Sequence, residues 1–300
     1  MTRHLLDRLR SGDILVGDGA TGTMLLDSGL DAGVCPETLN LDRPDRLAAL
    51  ARAYRDAGAD IVQTNTFGAS PLKLALSDLA EKTEEINANA VHAVRKAVGT
   101  TAYICGSCGP SGRLLEPYGD TEPQAVYGSF VRQIQALVGA GVDAICIETM
   151  TDLAEATLGV RAARAVSSTI PVFASMTFDP TPRGFITIMG VSVEQAASRL
   201  AAAGADVIGS NCGNGIENMV RIAAEFRKVT NLPVLIRPNA GLPEIDGDRP
   251  AYRESAAFMV PHFRALVELG VQVIGGCCGT TPEHIAALRG AADHFTANHL

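Results

Sequence analysis

Residues 57–67 read AGADIVQTNTF. A glycine behind an amphipathic run, an aspartate two places on and then a β-branched stretch make a helix stop followed by a buried strand. The same join returns as AGVD at 140–143 and AGAD at 203–206, and more loosely as LGVQ at 269–272. At each place glycine can take the left-handed conformation that ends a helix, and the polar residue opens the next strand. Each join is half of a strand–helix unit.

Working outward from these joins gives eight strand candidates, at 14–19, 61–67, 103–109, 144–150, 172–178, 207–213, 234–241 and 273–279. Helical patterns of roughly three to five turns separate them, as at 81–98 and 152–166. Strands that are apolar throughout belong to a parallel sheet covered on both faces. Eight successive units in this length predict an α/β protein, a (β/α)8 TIM barrel forming a single domain over 1–300. A doubly wound open sheet competes, but it rarely needs eight equivalent units. The Gly-x-Gly-x-x-Gly fingerprint it would carry after its first strand is missing.

The bulk numbers suit a packed globular chain: 300 residues, 47% hydrophobic and 19% charged. A net charge of −8 gives no basic footprint for nucleic acid or an anionic membrane, so neither is an expected partner. No apolar run is long enough for a signal peptide or membrane anchor, and the expected location is cytoplasmic. Seven cysteines fall short of a disulfide scaffold; in a reducing compartment an odd number means thiols or metal ligands.

In such a barrel, catalytic groups sit at the C-terminal strand ends. Here those ends carry Asp18, Thr64 and Asn65, Glu148, Asn211 and Cys212, Asn239, and the adjacent pair Cys277 and Cys278. Cys212 and the pair lie on strands six and eight, so three thiols can meet above the barrel mouth. Three sulfur ligands with an open fourth position make a catalytic rather than a structural zinc pattern. Neighbouring residues of a regular strand face opposite ways. Gly275, Gly276 and Gly279 are therefore expected to allow the unusual dihedrals that turn both sulfurs to one ion. Buried small thiols, the bland reading of isolated cysteines, explain neither those glycines nor the partner on strand six. Three thiolates on Zn²⁺ make a poor activator of water, but a coordinated thiol is deprotonated and stays nucleophilic. That suits alkylation of a thiol better than hydrolysis.

These residues make a recognisable set. DGATGTML (18–25), TNTFGAS (64–70), GPSG (109–112), ETMTD (148–152), SNCG (210–213), PNAGLP (238–243) and GGCCGTTPEHI (275–285) resemble the homocysteine S-methyltransferase family through nearly the whole chain. Within it they look most like the homocysteine-binding module of cobalamin-dependent methionine synthase. The resemblance implies a (β/α)8 barrel with Zn²⁺ on Cys212, Cys277 and Cys278, and Asn239 as an exchangeable fourth ligand. It implies that Asp18 and Glu148 recognise the amino group of homocysteine, while backbone amides around Gly19 and Ala20 approach its carboxylate. The implied reaction is in-line methyl transfer to the zinc-held thiolate, giving methionine.

The chain has no Asp-x-His-x-x-Gly corrinoid motif and no room for folate or corrinoid modules. Methylcobalamin would therefore sit on a separate corrinoid protein partner, the donor the motifs favour. S-methylmethionine or betaine is the alternative that the stand-alone length favours, and an excised module of a longer enzyme is a third. A non-catalytic thiol sensor using the vicinal cysteines is the rival of another class. Cys105 and Cys108 spell C-x-x-C, but within strand three they read as core, Cys108 near enough to the rim to approach the site. Cys35 reads as loop and Cys146 as core. Tyr118 could shape the donor side of the pocket, with loop packing as its plainer role. The six histidines scatter, none at a strand end.

Overall fold

At all four glycine joins the backbone turns left-handed: φ is 98° at Gly58, 93° at Gly141, 106° at Gly204 and 76° at Gly270. The aspartate two residues on does a second job. Asp60 Oδ2 accepts the N–H of Val16 at 2.9 Å, Asp143 that of Ile104 at 2.8 Å, and Asp206 that of Val172 at 2.8 Å. Each carboxylate also holds arginine: Asp60 takes Arg8 and Arg289, Asp143 takes Arg95, and Asp206 takes Arg164. So each aspartate ties the start of its strand to the strand before it. At the fourth join Gln272 instead donates its side-chain amide to Leu9 O at 3.1 Å.

The computed structural model describes residues 4–31, 33–246 and 249–299; the ends of the expected 1–300 domain, 1–3 and 300, lie outside them. The barrel strands are β1 (Leu15–Val16), β2 (Ile61–Gln63), β3 (Tyr103–Cys108), β4 (Ala144–Met150), β5 (Val172–Met176), β6 (Val207–Asn211), β7 (Val234–Arg237) and β8 (Val273–Ile274). All pair in parallel in the order β1-β8-β7-β6-β5-β4-β3-β2. A parallel bridge from Gly17 to Ile61 joins the two ends of that order. The principal helices are α1 (Pro44–Asp56), α2 (Thr83–Val98), α3 (Pro123–Ala140), α4 (Leu153–Val166), α5 (Val193–Ala203), α6 (Ile216–Val229), α7 (Ala256–Glu268) and α8 (Pro282–His299). This is the expected (β/α)8 barrel. Short antiparallel strand pairs, 179–181 with 184–186 and 244–246 with 249–251, decorate the segments after β5 and β7.

Most strands stop short of the stretches read from sequence. Residues 18–19, 64–67 and 275–279 have left the ladder and form loops, whereas Glu148 and Asn211 remain inside β4 and β6.

Strand alternation separates two cores. Leu15, Ile61, Tyr103, Phe173, Leu235 and Val273 point inward, and Leu5 and Leu9 of the N-terminal helix Leu5–Arg10 seal that cluster from below. Val16, Val62, Ile104, Ile145, Ile208 and Ile274 point outward into the larger layer beneath the helices. Full burial of each such side chain contributes about 1.5–3 kcal/mol. Continuing the inward parity two or four residues on reaches Gln63, Ser107, Glu148, Asn211 and Arg237. The apolar plug thus gives way to a polar upper layer. Among the described residues no helix is long and apolar enough to cross a membrane.

Candidate active site

Cys277 and Cys278 follow β8 in a turn rather than in the strand. Thr280 N–H donates to Cys277 O at 3.1 Å, and Gly279 has φ 78°, the left-handed position a type II turn gives to glycine. Two backbone bonds pin the turn to the loop after β7: Cys277 N–H to Pro238 O at 2.7 Å and Ala240 N–H to Cys278 O at 2.9 Å. Outside the strand the opposite-face rule no longer applies, and both sulfurs reach Cys212. The three Sγ atoms lie within 4.8 Å of one another, Cys212 and Cys278 being 3.9 Å apart.

The glycines work differently from the sequence expectation. Only Gly279 has a positive φ; Gly275 and Gly276 do not. Those two are needed for space. A β-carbon on Gly275 would sit 2.9 Å from Asp18 O, and one on Gly276 would sit 2.1 Å from Thr280 Oγ1. The left-handed strain falls on Cys212 itself, at φ 62°, and on Thr149, at φ 60°. Non-glycine residues held there cost about 1–3 kcal/mol each and persist only where neighbours over-determine them. Asn211 supplies the restraint: its Oδ1 accepts Thr149 N–H at 2.8 Å and the Ser175 hydroxyl at 2.7 Å. Its Nδ2 donates to Thr149 Oγ1 at 2.7 Å and reaches Cys277 Sγ at 3.8 Å.

Hydrogen bonding from Cys212 and burial push Cys277 up to about 12. The bond with Cys212 lowers Cys278 and the bond with Cys277 lowers Cys212, yet the remaining thiol contacts and burial raise them to about 12 and about 11. Without a cation these thiols stay protonated at neutral pH; a divalent metal reverses that. The donor set fits one. Three soft sulfurs converge, and the buried Asn239 Oδ1 has no hydrogen-bond partner. Tyr252 was missed from sequence. Its ring covers Gly279, the residue next to Cys278.

Below the sulfurs lies a charged floor, and sequence reading missed its centre. Arg237 is an arginine inside an apolar strand, with inward parity from Leu235 as its only signal. It is buried, and it donates to Asp18 Oδ1 at 2.8 Å, Gly276 O at 3.0 Å, Gln63 Oε1 and, at 3.4 Å, Glu148 Oε2. Burial opposes its charge, but Asp18 and Glu148 hold it protonated. Asp18 Oδ2 also accepts Gln63 N–H at 2.7 Å. Glu148 Oε1 accepts Gln63 Nε2 at 2.9 Å and the Ser107 hydroxyl. Burial pushes the Asp18 carboxyl up to about 6 against the pull of Arg237.

A cavity of about 320 Å³ opens over this floor, lined by Glu148, Gln63, Ser107, Arg237 and the three cysteines. Gly19 and Ala20 are on its wall, the Ala20 N–H donating to Thr280 Oγ1 at 3.2 Å. Thr64 and Asn65 also line it, but the Asn65 amide is engaged by Pro36 O and Asn40 Oδ1. Asp18 and Asn239 are outside its lining. Cys108 packs outward into the helix-side core and faces away from the site, while Cys105 and Cys146 belong to the interior plug. Cys35 donates to Glu37 Oε2 at 3.1 Å in the loop before α1. Tyr118 is not packed into its loop; it is 77% exposed.

The model of the homocysteine S-methyltransferase family matches residues 15–292. Methionine synthase of Mycobacterium leprae (strain TN) is 34% identical over 299 residues, covering 93% of this chain and 24% of that protein. Methionine synthase of Mycobacterium tuberculosis (strain ATCC 25618 / H37Rv) is 34% identical over 306 residues, covering 96% of this chain and 25% of that protein. The chain thus spans about a quarter of the length of these curated relatives. Two crystal structures of the homocysteine methyltransferase MmuM from Escherichia coli share the fold, each at 23% identity, covering 96% of this chain and 99% of theirs. The oxidised form has a TM-score of 0.81 and the metallated form 0.79.

Proposed function

The chain belongs to the homocysteine S-methyltransferase family, and from that premise we propose that it methylates homocysteine on sulfur to give methionine, with zinc held by Cys212, Cys277 and Cys278. The observation that carries this reading is the meeting of three cysteine sulfurs from two strand ends at a cavity that also presents a carboxylate. Zinc bound there would accept the substrate thiol and strip its proton near neutral pH. The chain's own groups do the rest. Asn239 Oδ1, buried and unpartnered, suits the fourth position until the substrate arrives. Asp18 and Glu148 supply the negative charge for the α-ammonium, and the wall at Gly19 and Ala20 faces the carboxylate. A hydrogen bond from Asn211 orients the Cys277 sulfur, and Tyr252 packs over the turn that carries Cys278.

For the donor we favour a methyl-corrinoid protein partner. Of the ten exposed large hydrophobic side chains among the described residues, eight lie in loops that follow barrel strands, Phe67, Leu114, Tyr118, Ile188 and Leu242 among them. These loops lie on the face of the barrel where the cavity opens and Phe67 lines it, and exposed apolar side chains on that face support a macromolecular donor over a small one.

The test has two arms. Zinc content of reduced protein is compared between wild type, Cys212→Ala and Cys278→Ala, with stoichiometric metal expected only in the first; variants that keep full zinc refute the ligand set. Methionine formation is then assayed with methylcobalamin, S-methylmethionine and betaine in parallel. A reversible Cys277–Cys278 disulfide with no methionine from any donor would favour the thiol-sensor reading.

A further inference from the structure

A tyrosine that sequence reading passed over stands beneath two loops of the site at once. Tyr54, in α1, is only 1% exposed, and burial keeps its phenol protonated. Its hydroxyl lies 2.6 Å from Ala20 O and 3.2 Å from Thr280 O. These carbonyls belong to different loops. Ala20 follows β1 and walls the cavity, while Thr280 closes the turn that carries Cys277 and Cys278. Among the described residues no other donor reaches Ala20 O. A phenylalanine would fill the same volume, so what the hydroxyl adds is a proton for two carbonyls that have no ladder partner.

The two loops are also bonded to each other. Ala20 N–H is divided between Thr280 Oγ1 at 3.2 Å and Thr280 O at 3.3 Å. The Thr280 hydroxyl gives its own proton to Cys277 O at 2.7 Å. There is little slack, because a β-carbon on Gly19 would lie 2.9 Å from both Thr280 Oγ1 and the Tyr54 hydroxyl. Ala20 therefore cannot shift without Thr280, and Thr280 carries the Cys277 peptide with it.

We propose that Tyr54 is a positioning residue that couples the substrate wall to the metal site. Its hydroxyl locks the loop after β1 to the cysteine turn, so that homocysteine and zinc each tighten the binding of the other. This rests on the zinc-holding, homocysteine-binding reading of the site. Coupling between two sites is reciprocal and needs an element that both of them bias. Here the element is the clamp of Ala20, Tyr54 and Thr280. A ligand against the wall steadies Ala20 and zinc steadies the turn, so whichever binds first leaves less to be ordered by the second. The bond from zinc to the substrate sulfur adds a contribution that Tyr54 does not touch.

The measurement is the zinc affinity of reduced protein by competition with a chromophoric chelator, with and without saturating L-homocysteine. A protein-free blank removes the zinc that free homocysteine binds. The readout is the tightening, the ratio of the two affinities. It needs no methyl donor, and a loss of packing that weakens zinc equally in both conditions leaves it unchanged. Tyr54→Phe removes the hydroxyl alone and is expected to cut the tightening about three- to tenfold, the span of one hydrogen bond. Thr280→Val keeps the Tyr54 hydroxyl but cuts the side-chain bonds to Cys277 O and Ala20 N–H, and should lose a similar share. Tyr103→Phe, which removes a hydroxyl from the interior plug, should keep the wild-type ratio.

A Tyr54→Phe protein with wild-type tightening overturns the proposal, whatever its zinc affinity, since the tyrosine would then only pack. Loss of tightening in Tyr103→Phe as well would make it a matter of general stability and equally overturns it. If Tyr54→Phe holds no zinc, Thr280→Val decides by the same ratio. Wild-type protein that holds zinc but shows no tightening with homocysteine would lack the sulfur bond too, and sinks the homocysteine reading itself.

Discussion

Replacing Gly276 with alanine tests whether the cysteine turn is held by close packing rather than by unusual dihedrals. The new β-carbon would lie 2.1 Å from Thr280 Oγ1 and 2.7 Å from its Cβ, so Thr280 must retreat by about 1 Å. It has little freedom to do so. Thr280 is buried, and its hydroxyl donates to Cys277 O at 2.7 Å while accepting the Ala20 N–H at 3.2 Å. Overpacking costs about 1–3 kcal/mol, and each of the two lost hydrogen bonds adds about 0.5–1.5 kcal/mol, so the whole is about 2–6 kcal/mol. With a urea m-value of about 3 kcal/mol/M, a loss of about 3 kcal/mol lowers the midpoint of metal-free protein by about 1 M. Zinc affinity, read by chelator competition, should fall about 10- to 100-fold, as it does when groups behind the ligands are disturbed. Gly128→Ala is the comparison: mid-helix, with open space around its β-carbon, it should add about 0.5–1 kcal/mol. A Gly276→Ala protein with wild-type midpoint and zinc affinity refutes the packing account.

Asn239→Ala removes an oxygen that has no partner in the fold. It should leave metal-free stability within about 1 kcal/mol of wild type, while zinc binding by chelator competition weakens about tenfold or more; a large stability loss with unchanged zinc would show a purely structural oxygen. Burial pushes the Asp18 carboxyl up to about 6, above the usual aspartate range, so the fold favours its protonated form. Stability should therefore fall as pH rises from about 4 to about 6, by at most about 3 kcal/mol, and Asp18→Asn should flatten that slope in urea titrations at stepped pH. Protonation of Asp18 below pH 6 removes negative charge from the floor that Arg237 shares with Glu148, and homocysteine should lose about tenfold in affinity by pH 5 relative to its des-amino analogue, 4-mercaptobutanoate; a pH-independent ratio rules this out. Asp206→Ala leaves the Val172 N–H without its acceptor and Arg164 without its carboxylate. The expected loss is about 1–3 kcal/mol by urea denaturation, and no measurable loss would reduce the repeated aspartate to a surface charge.

The barrel was legible because its signals are local. A left-handed glycine marks each even strand within four residues, followed by an aspartate before β2, β4 and β6 and by a glutamine before β8, and hydrophobic runs mark the odd ones between them. The sulfur triad was legible for the same reason, since a vicinal pair and a strand-end cysteine stand out in a linear reading. What escaped depends on which way side chains point and what they meet across the barrel. Arg237 sits in VLIRPNAG, where one charged residue among apolar neighbours says nothing of its direction until strand parity from Leu235 is known. Once that parity is set, Arg237 must point inward and find carboxylates, because a buried guanidinium cannot stay unpaired. The distinct surroundings of Asp18 and Glu148 escaped too. Gln63 at the end of β2 bonds both, through its backbone N–H to Asp18 and its side-chain amide to Glu148, yet only Glu148 lines the cavity.

The two levels of the barrel are mechanically linked through the even strands. β2, β4 and β6 each begin at an aspartate that binds a backbone N–H of the preceding odd strand. The same three strands carry Gln63, Glu148 and, one residue past β6, Cys212 in their upper parts, so bonds at the lower rim fix the height at which floor and sulfur emerge at the upper one. β8 lacks the aspartate: Gln272 binds the N-terminal helix instead. Its upper end is fixed from the side, by Cys277 and Cys278 bonding the loop after β7 and by Thr280 bonding Ala20 in the loop after β1. Two of the three sulfurs therefore take their position from neighbouring loops, and the third from its own strand register. A ligand set divided in this way needs a close-packed turn at its loop-held half. That is the physical reason Gly275 and Gly276 bracket the approach to the cysteines without themselves adopting glycine-only dihedrals.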